Sequence, residues 1–286
     1  MGLQVTIVHA CRRAGRGGSP TAILDERPLR DAERRAVPVA AGTSHAVFVS
    51  TEEHRSGRPA VSLRFFTAAG ELPACGHGTV AALAVLAERA RTREYEAVLR
   101  AGGRTFLGQA TGGGARYEAA FDPGPVELRA PATPDSEPVL SALGIDPARA
   151  SARCRIASVG RPRMLVQVVD RQVLAELAPD MTRLREACDR LGLLGCYVYS
   201  TPSPDGRAAA RMFAPSIGVP EDIANANSTA CLAAHLADHG VPALEVDMGD
   251  SLGEPSTITA TARPGHGGPL VRVGGTATIT TGLSVT

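Results

Sequence analysis

The chain opens on an alternation, "LQVTIVHA", with apolar residues at every second position, as a half-buried strand requires. A glycine-rich stretch, "AGRGGSP", follows, then the short apolar run "TAIL" and a polar segment. "HAVFVS" and "VSLRFF" come next, and their β-branched and aromatic residues predict two more strands. "TVAALAVLAERA" is rich in alanine and leucine on every face, the pattern of a helix buried all round. "YEAVLRAGG" and "ARYEAAF" predict further strands with glycine turns. The proline-rich "DPGPVELRAPATPDSEP" (Asp122 to Pro138) reads as containing a link between two domains.

The second half follows a similar plan. "RIASVG", "RMLVQVV", "CYVYS" and "AARMFAP" predict strands, and "RQVLAEL" and "TRLREACDRLG" predict helices. "EDIANANSTACLAAHLADHG" is another alanine-rich helix, introduced by small polar residues and closed by Gly240. The tail "LVRVGGTATITTGLSV" reads as a hairpin of two strands around Gly274-Gly275. The pattern predicts one module used twice, with a cleft between the copies. Two helix N-termini facing that cleft would bring together backbone N–H groups and positive dipole ends, a setting for a carboxylate.

Composition narrows the partners. The 286 residues carry 30 basic and 29 acidic side chains, a net charge of +1, and every basic residue is arginine. No basic block, 3% aromatics and no tryptophan argue against nucleic acid. No stretch approaches the roughly 18 apolar residues of a membrane span. The start, "MGLQVTIVHACRR", reads as a strand and not as a leader; it fits the myristoylation pattern through Thr6, a short pattern given little weight. The six cysteines (Cys11, Cys75, Cys154, Cys188, Cys196 and Cys231) include no C-x-x-C pair, which argues against a disulfide framework and against a zinc site. The expectation is a cytoplasmic, reduced protein acting on a small molecule.

The specific chemistry begins at "ELPACGHGTVAALAVLAE" (Glu71 to Glu88), where a thiol and an imidazole stand where a helix starts. "RFFTAAGELPACGHGT" and "RMFAPSIGVPEDIANANSTACLAAHL" resemble the two helix-opening motifs of the phenazine-biosynthesis (PhzF-type) isomerase family, within the diaminopimelate epimerase and proline racemase superfamily. "GSPTAIL", "ASVGRPRMLVQV" and "VRVGGTATIT" look like further landmarks of that family, in the same order, so the resemblance covers nearly the whole chain. It implies an α/β (α+β) fold of the diaminopimelate epimerase type, with two pseudo-symmetric domains, each a curved sheet around a central helix. The domains would span residues 1–124 and 125–286, with the last strands near 270–286 crossing back to the first. The resemblance further implies an active site between the domains, no metal or organic cofactor, and a homodimer.

Three departures shape the chemistry. The resembled isomerases carry a catalytic glutamate where "AAGTSHAVFV" places His45. They usually have alanine where this chain has Cys75, as the racemases do in "CGHGT". The second cysteine of the epimerases and racemases is matched by Asn225, which cannot take a proton at useful pH. Two-thiol racemisation is therefore disfavoured. A thiol and an imidazole still make an acid/base set, each proton transfer worth roughly 10²–10⁴ in rate. Catalytic roles thus fall to His45 and Cys75, with Asp222, matching an acidic residue of the family, in support. Substrate contacts fall to Ser19, Gly76, His77, Asn225, Asn227, Ser228 and Thr229.

Plainer roles stand beside these. Cys75 can be a small buried residue, His77 a helix-cap histidine, and His45 a structural residue at the head of a strand. Asp222 can sit in a surface turn, and Asn225 to Thr229 can simply cap a helix. His9, His54, His235, His239 and His266 join no constellation. The function expected is a cofactor-independent isomerase acting on a small carboxylate- or amine-bearing metabolite, in specialised biosynthesis. The alternatives are a single-cysteine lyase, dehydratase or cyclase, an amino-acid epimerase using His45 or water as its second base, and a ligand-binding relative without catalysis.

Overall fold

A computed structural model describes residues 2–52, 57–146, 154–266 and 268–285; His54 and Gly267 lie outside the described residues. The chain groups into two compact units. One comprises residues 1–123, 254–257 and 272–286, and the other comprises 124–253 and 258–271.

In the first unit the alternating opening becomes β1 (Leu3–Ala10), followed by β2 (Ser19–Asp25), α1 (Asp31–Ala40), β3 (His45–Glu52), β4 (Ala60–Phe66) and β5 (Glu71–Leu72). Then come α2 (Gly76–Ala90), β6 (Glu94–Ala101), β7 (Arg104–Gly113) and β8 (Arg116–Phe121). Pairing runs β1–β2, β2–β3, β3–β4, β4–β6, β6–β7 and β7–β8. The chain's last strand, β17 (Leu270–Val285), pairs with β8 at one end and β1 at the other, so the ladder closes on itself. The ring surrounds α2, whose residues from Gly76 to Ala87 are all buried. That explains the helix's apolar character on every face, because no side of it meets water.

The outer face of β1–β4 carries a second core, in which Val5, Ala22, Leu24, Ala46, Phe48 and Phe66 pack with Val37 of α1. Strand side chains alternate between faces, so with Ala46 and Phe48 pointing outward, His45 and Val47 point inward, toward α2. Space for that approach comes from Gly78, where a Cβ would lie 3.0 Å from Cys75 Sγ and 3.1 Å from Val47.

The tail differs from the expected hairpin. Neither Gly274 nor Gly275 has positive φ, and β17 runs unbroken through both. A Cβ at Gly274 would fall 2.2 Å from the Ala119 carbonyl oxygen, and one at Gly275 would fall 3.1 Å from that of Thr257. These glycines allow close approach of backbones and do not make a turn.

The second unit contains β9 (Glu127–Arg129), α3 (Thr133–Ala142), β10 (Cys154–Val159), β11 (Arg161–Val168), α4 (Arg171–Ala175), α5 (Met181–Arg190), β12 (Cys196–Ser200) and β13 (Arg207–Ala214). It continues with β14 (Val219–Asp222), α6 (Ala226–Ala237), β15 (Ala243–Met248) and most of β16 (Ser256–Arg263). Its ladder runs β9–β10–β11–β12–β13, with β14 and β15 both pairing to β13. A core of Leu140, Leu143, Met164, Val166, Leu174, Leu184, Cys188, Cys196 and Phe213 joins α3, α4 and α5 to the sheet. The central helix is α6, buried along most of its length. All six cysteines are buried and none is in a disulfide, and among the described residues no helix is long and apolar enough to cross a membrane.

Candidate active site

The first unit brings His45, Cys75, Gly76 and His77 together. His45 opens β3 beside Thr21 of β2, and register and alternation aim it at the start of α2. Cys75 is the residue before α2, in extended backbone (φ −145°, ψ 112°), and its side chain makes no capping bond to the helix. Instead its Sγ lies 3.3 Å from His77 Nε2. The first helical turn is held by Thr79, whose N–H and hydroxyl both donate to the Cys75 carbonyl, at 3.0 and 2.8 Å. The His45 and His77 rings meet edge to face, with centroids 4.4 Å apart. His45 Nδ1 is 2.9 Å from Ser44 Oγ.

All three side chains are buried: Cys75 is 6% exposed, His45 4% and His77 2%. Burial, and next the neighbouring His77, hold the His45 imidazole well below its ordinary range, because a second positive charge in a dry site is costly. One nitrogen or sulfur atom from each of His45, Cys75 and His77 lies within 4.8 Å of the other two. A thiol and two imidazoles at a helix N-terminus can move protons, hold an anion beside them, or ligate a metal ion.

Ser19 is also in this unit, fully buried, and its hydroxyl has no hydrogen-bond partner among the described residues. Strand alternation puts Ser19 and Thr21 on the inward face that His45 shares.

The second unit gathers Asp222, Asn225, Ser228 and Thr229 at the start of α6. Asn225 Oδ1 accepts from the Ser228 N–H at 2.9 Å, and Asn225 Nδ2 donates to Asp222 Oδ2 at 2.9 Å. Thr229 is fully buried, with its hydroxyl 2.7 Å from the Tyr197 hydroxyl and 3.2 Å from the Asn225 carbonyl. The capping role is thus in place: the Ser228 N–H and the Thr229 hydroxyl have partners inside the protein. Asn227 and Asp222 are half-buried. Asp222 is thus the anchor of the cap.

Two contributors were not read from the sequence. Ser44 orients His45, and only its adjacency could have pointed to it. Arg163 is 2% exposed inside β11, where it donates to Ser228 Oγ at 3.3 Å and to the Arg161 carbonyl at 2.7 Å. An arginine within the apolar run "RMLVQV" was the available signal.

A family model described as phenazine biosynthesis-like protein matches residues 11–282. The chain belongs to that family. An uncharacterized isomerase from Deinococcus radiodurans is 29% identical to it, over 93% of this chain and 88% of its own length. The trans-2,3-dihydro-3-hydroxyanthranilate isomerase of Pseudomonas fluorescens is 29% identical, over 90% of this chain and 88% of its own. Among solved structures, the Bacillus anthracis phenazine biosynthesis protein of the PhzF family has a TM-score of 0.83 at 17% identity, covering 100% of this chain and 99% of that one. A hydroxyproline epimerase from Agrobacterium vitis, solved with trans-4-hydroxy-L-proline bound, has a TM-score of 0.66 at 11% identity, covering 99% and 90%. These two structures show the fold alone, and it is the epimerase-like fold that the motifs implied. The sequence relatives are isomerases by name, in line with the expected enzyme class.

Proposed function

We propose that this family member is a cofactor-independent isomerase that moves a proton between carbons of a small carboxylate- or amine-bearing metabolite. The observation that carries the proposal is the buried His45–Cys75–His77 cluster at the N-terminus of α2. A base must lie within reach of the carbon-bound proton and an acid within reach of the receiving carbon. His45 and Cys75 supply those two groups, on different elements and close enough to serve one small molecule. The substrate's anionic group sits at the start of α2, against the backbone of Gly76 and His77, where the helix dipole favours negative charge. Ser19 offers its unpartnered hydroxyl to the same ligand. Asp222 acts through Asn225, fixing the start of α6.

The Pseudomonas fluorescens relative, by its name, acts on a hydroxylated dihydroanthranilate, a ring bearing both an amine and a carboxylate. The substrate proposed here is of that class, and the protein is taken to work as a cytoplasmic homodimer. Incubation with a panel of dihydroaromatic amino acids, read by ultraviolet absorbance and mass spectrometry, tests the reaction type. A shifted chromophore at unchanged mass supports the isomerase; loss of the mass of water identifies a lyase and contradicts it.

A further inference from the structure

We propose that His45, Cys75 and His77 also form a binding site for one divalent cation of the zinc type. The three donors come from two elements and meet in a buried site, with one ligand atom each within 4.8 Å of the other two. Around a tetrahedral zinc ion, Zn–S of about 2.3 Å and Zn–N of about 2.0–2.1 Å put neighbouring sulfur and nitrogen donors about 3.5 Å apart. Cys75 Sγ and His77 Nε2 are 3.3 Å apart, so one edge of the tetrahedron is already at ligand spacing. The remaining separations, at most 4.8 Å, exceed tetrahedral spacing by no more than about 1.5 Å, since two nitrogen donors stand about 3.3 Å apart around zinc. Small side-chain rotations close such a gap.

The donor types select the ion. Thiolate with imidazole suits zinc and its borderline neighbours, whereas magnesium and calcium want oxygen ligands, and this cluster offers none. His45 Nδ1 contacts Ser44 Oγ at 2.9 Å, the kind of outer bond that orients a metal-bound imidazole and leaves the other ring nitrogen for the ion. Three protein ligands leave a fourth position open, as catalytic rather than structural zinc sites do. Cysteine spacing alone did not reveal the site, because two of its three ligands are histidines and one lies thirty residues upstream of the thiol.

Binding exchanges the thiol proton for the metal and releases that proton to solvent. It also ties up both groups assigned to proton transfer, so an occupied site has suppressed proton-transfer activity. That consequence rests on the proposed function; the binding itself does not.

Cobalt is the reporter ion for the test. Chelator-stripped full-length protein is titrated with Co²⁺, and the expected result is a one-to-one complex with a thiolate-to-cobalt charge-transfer band and strong visible bands of a tetrahedral ion. Zn²⁺ then bleaches the spectrum, as the affinity order requires. Cys75→Ser abolishes the charge-transfer band, and His77→Gln weakens binding at least tenfold. Absence of stoichiometric binding, or a charge-transfer band surviving in Cys75→Ser, overturns the proposal. A second measurement needs no variant: Zn²⁺ slows iodoacetamide labelling of Cys75 in the wild type, read by peptide mass spectrometry with the other five cysteines as references. Labelling of Cys75 unchanged by Zn²⁺ also overturns it. Cobalt binding in a protein that exchanges no substrate proton keeps the metal site and removes the isomerase; exchange without cobalt binding does the reverse.

Discussion

Burial sets the charge of two imidazoles in this chain, with different consequences. His45 is pushed down inside the candidate site by desolvation and by His77. His235, on α6, is pushed down to about 4, chiefly by burial, then by His239 and Arg155, with Asp238 opposing. The unfolded chain binds that proton near pH 6.5, so between about 6.5 and about 4 the unfolded state holds more protons than the native one. Stability from this group is complete above pH 6.5 and is lost as pH falls toward 4. The melting temperature of the wild type should therefore drop further across that window than that of His235→Gln, in parallel thermal melts; equal drops would contradict the assignment. The motif residues Cys75, Gly76 and His77 were legible in the sequence, because a helix start with Gly-His after a thiol is a distinctive string. Arg163 was not, since alternation sends polar strand residues outward, and its burial depends on Ser228, sixty-five residues away.

Elements were legible where one period dominated. α2 and α6 show it: both lie buried, and an unbroken alanine-rich run has no other stable setting. α1 was missed because its segment is polar and carries Pro38. Its contact with the sheet is made by Val37 and by the buried Arg34, whose guanidinium sits 5.5 and 5.9 Å from the Phe48 and Phe66 ring centres. A long arginine stem covering aromatic rings does the work of an apolar residue. β7 was passed over because Gly108, Gly112 and Gly113 dilute its alternation. At the start of α6, the sequence already showed Asn225 as a cap, and the structure adds its bond to Asp222. Asn225→Ala should cost about 1 kcal/mol, within the usual 0.5–2 for a lost cap, measured by chemical denaturation. No change in the midpoint would mean that the cap contributes nothing to stability.

For the molecule as a whole, closure of the first unit depends on one long strand. β17 meets β8 through residues 273–278 and β1 through residues 278–285, and the expected hairpin would have broken that bridge. The error has a physical origin: paired glycines signal a turn locally, but here they clear space for the Ala119 and Thr257 backbones, and that need is invisible without the partner strand. Gly274→Ala should destabilise the protein by about 1–3 kcal/mol, the usual cost of overpacking, with the added methyl forced against the Ala119 carbonyl. Hydrogen exchange in β8 and β17 should rise with it; unchanged protection there would argue against the closed ladder.

The central claim is that His45 and Cys75 move a carbon-bound proton. The most direct measurement is solvent deuterium incorporation, by mass spectrometry in D₂O, into amino acids, hydroxyprolines and dihydroaromatic acids, with wild type, His45→Ala and Cys75→Ala side by side. The account predicts incorporation by the wild type, slowed about 10²–10⁴-fold in each variant, the usual worth of one acid or base. Incorporation at the wild-type rate in both folded variants would contradict it.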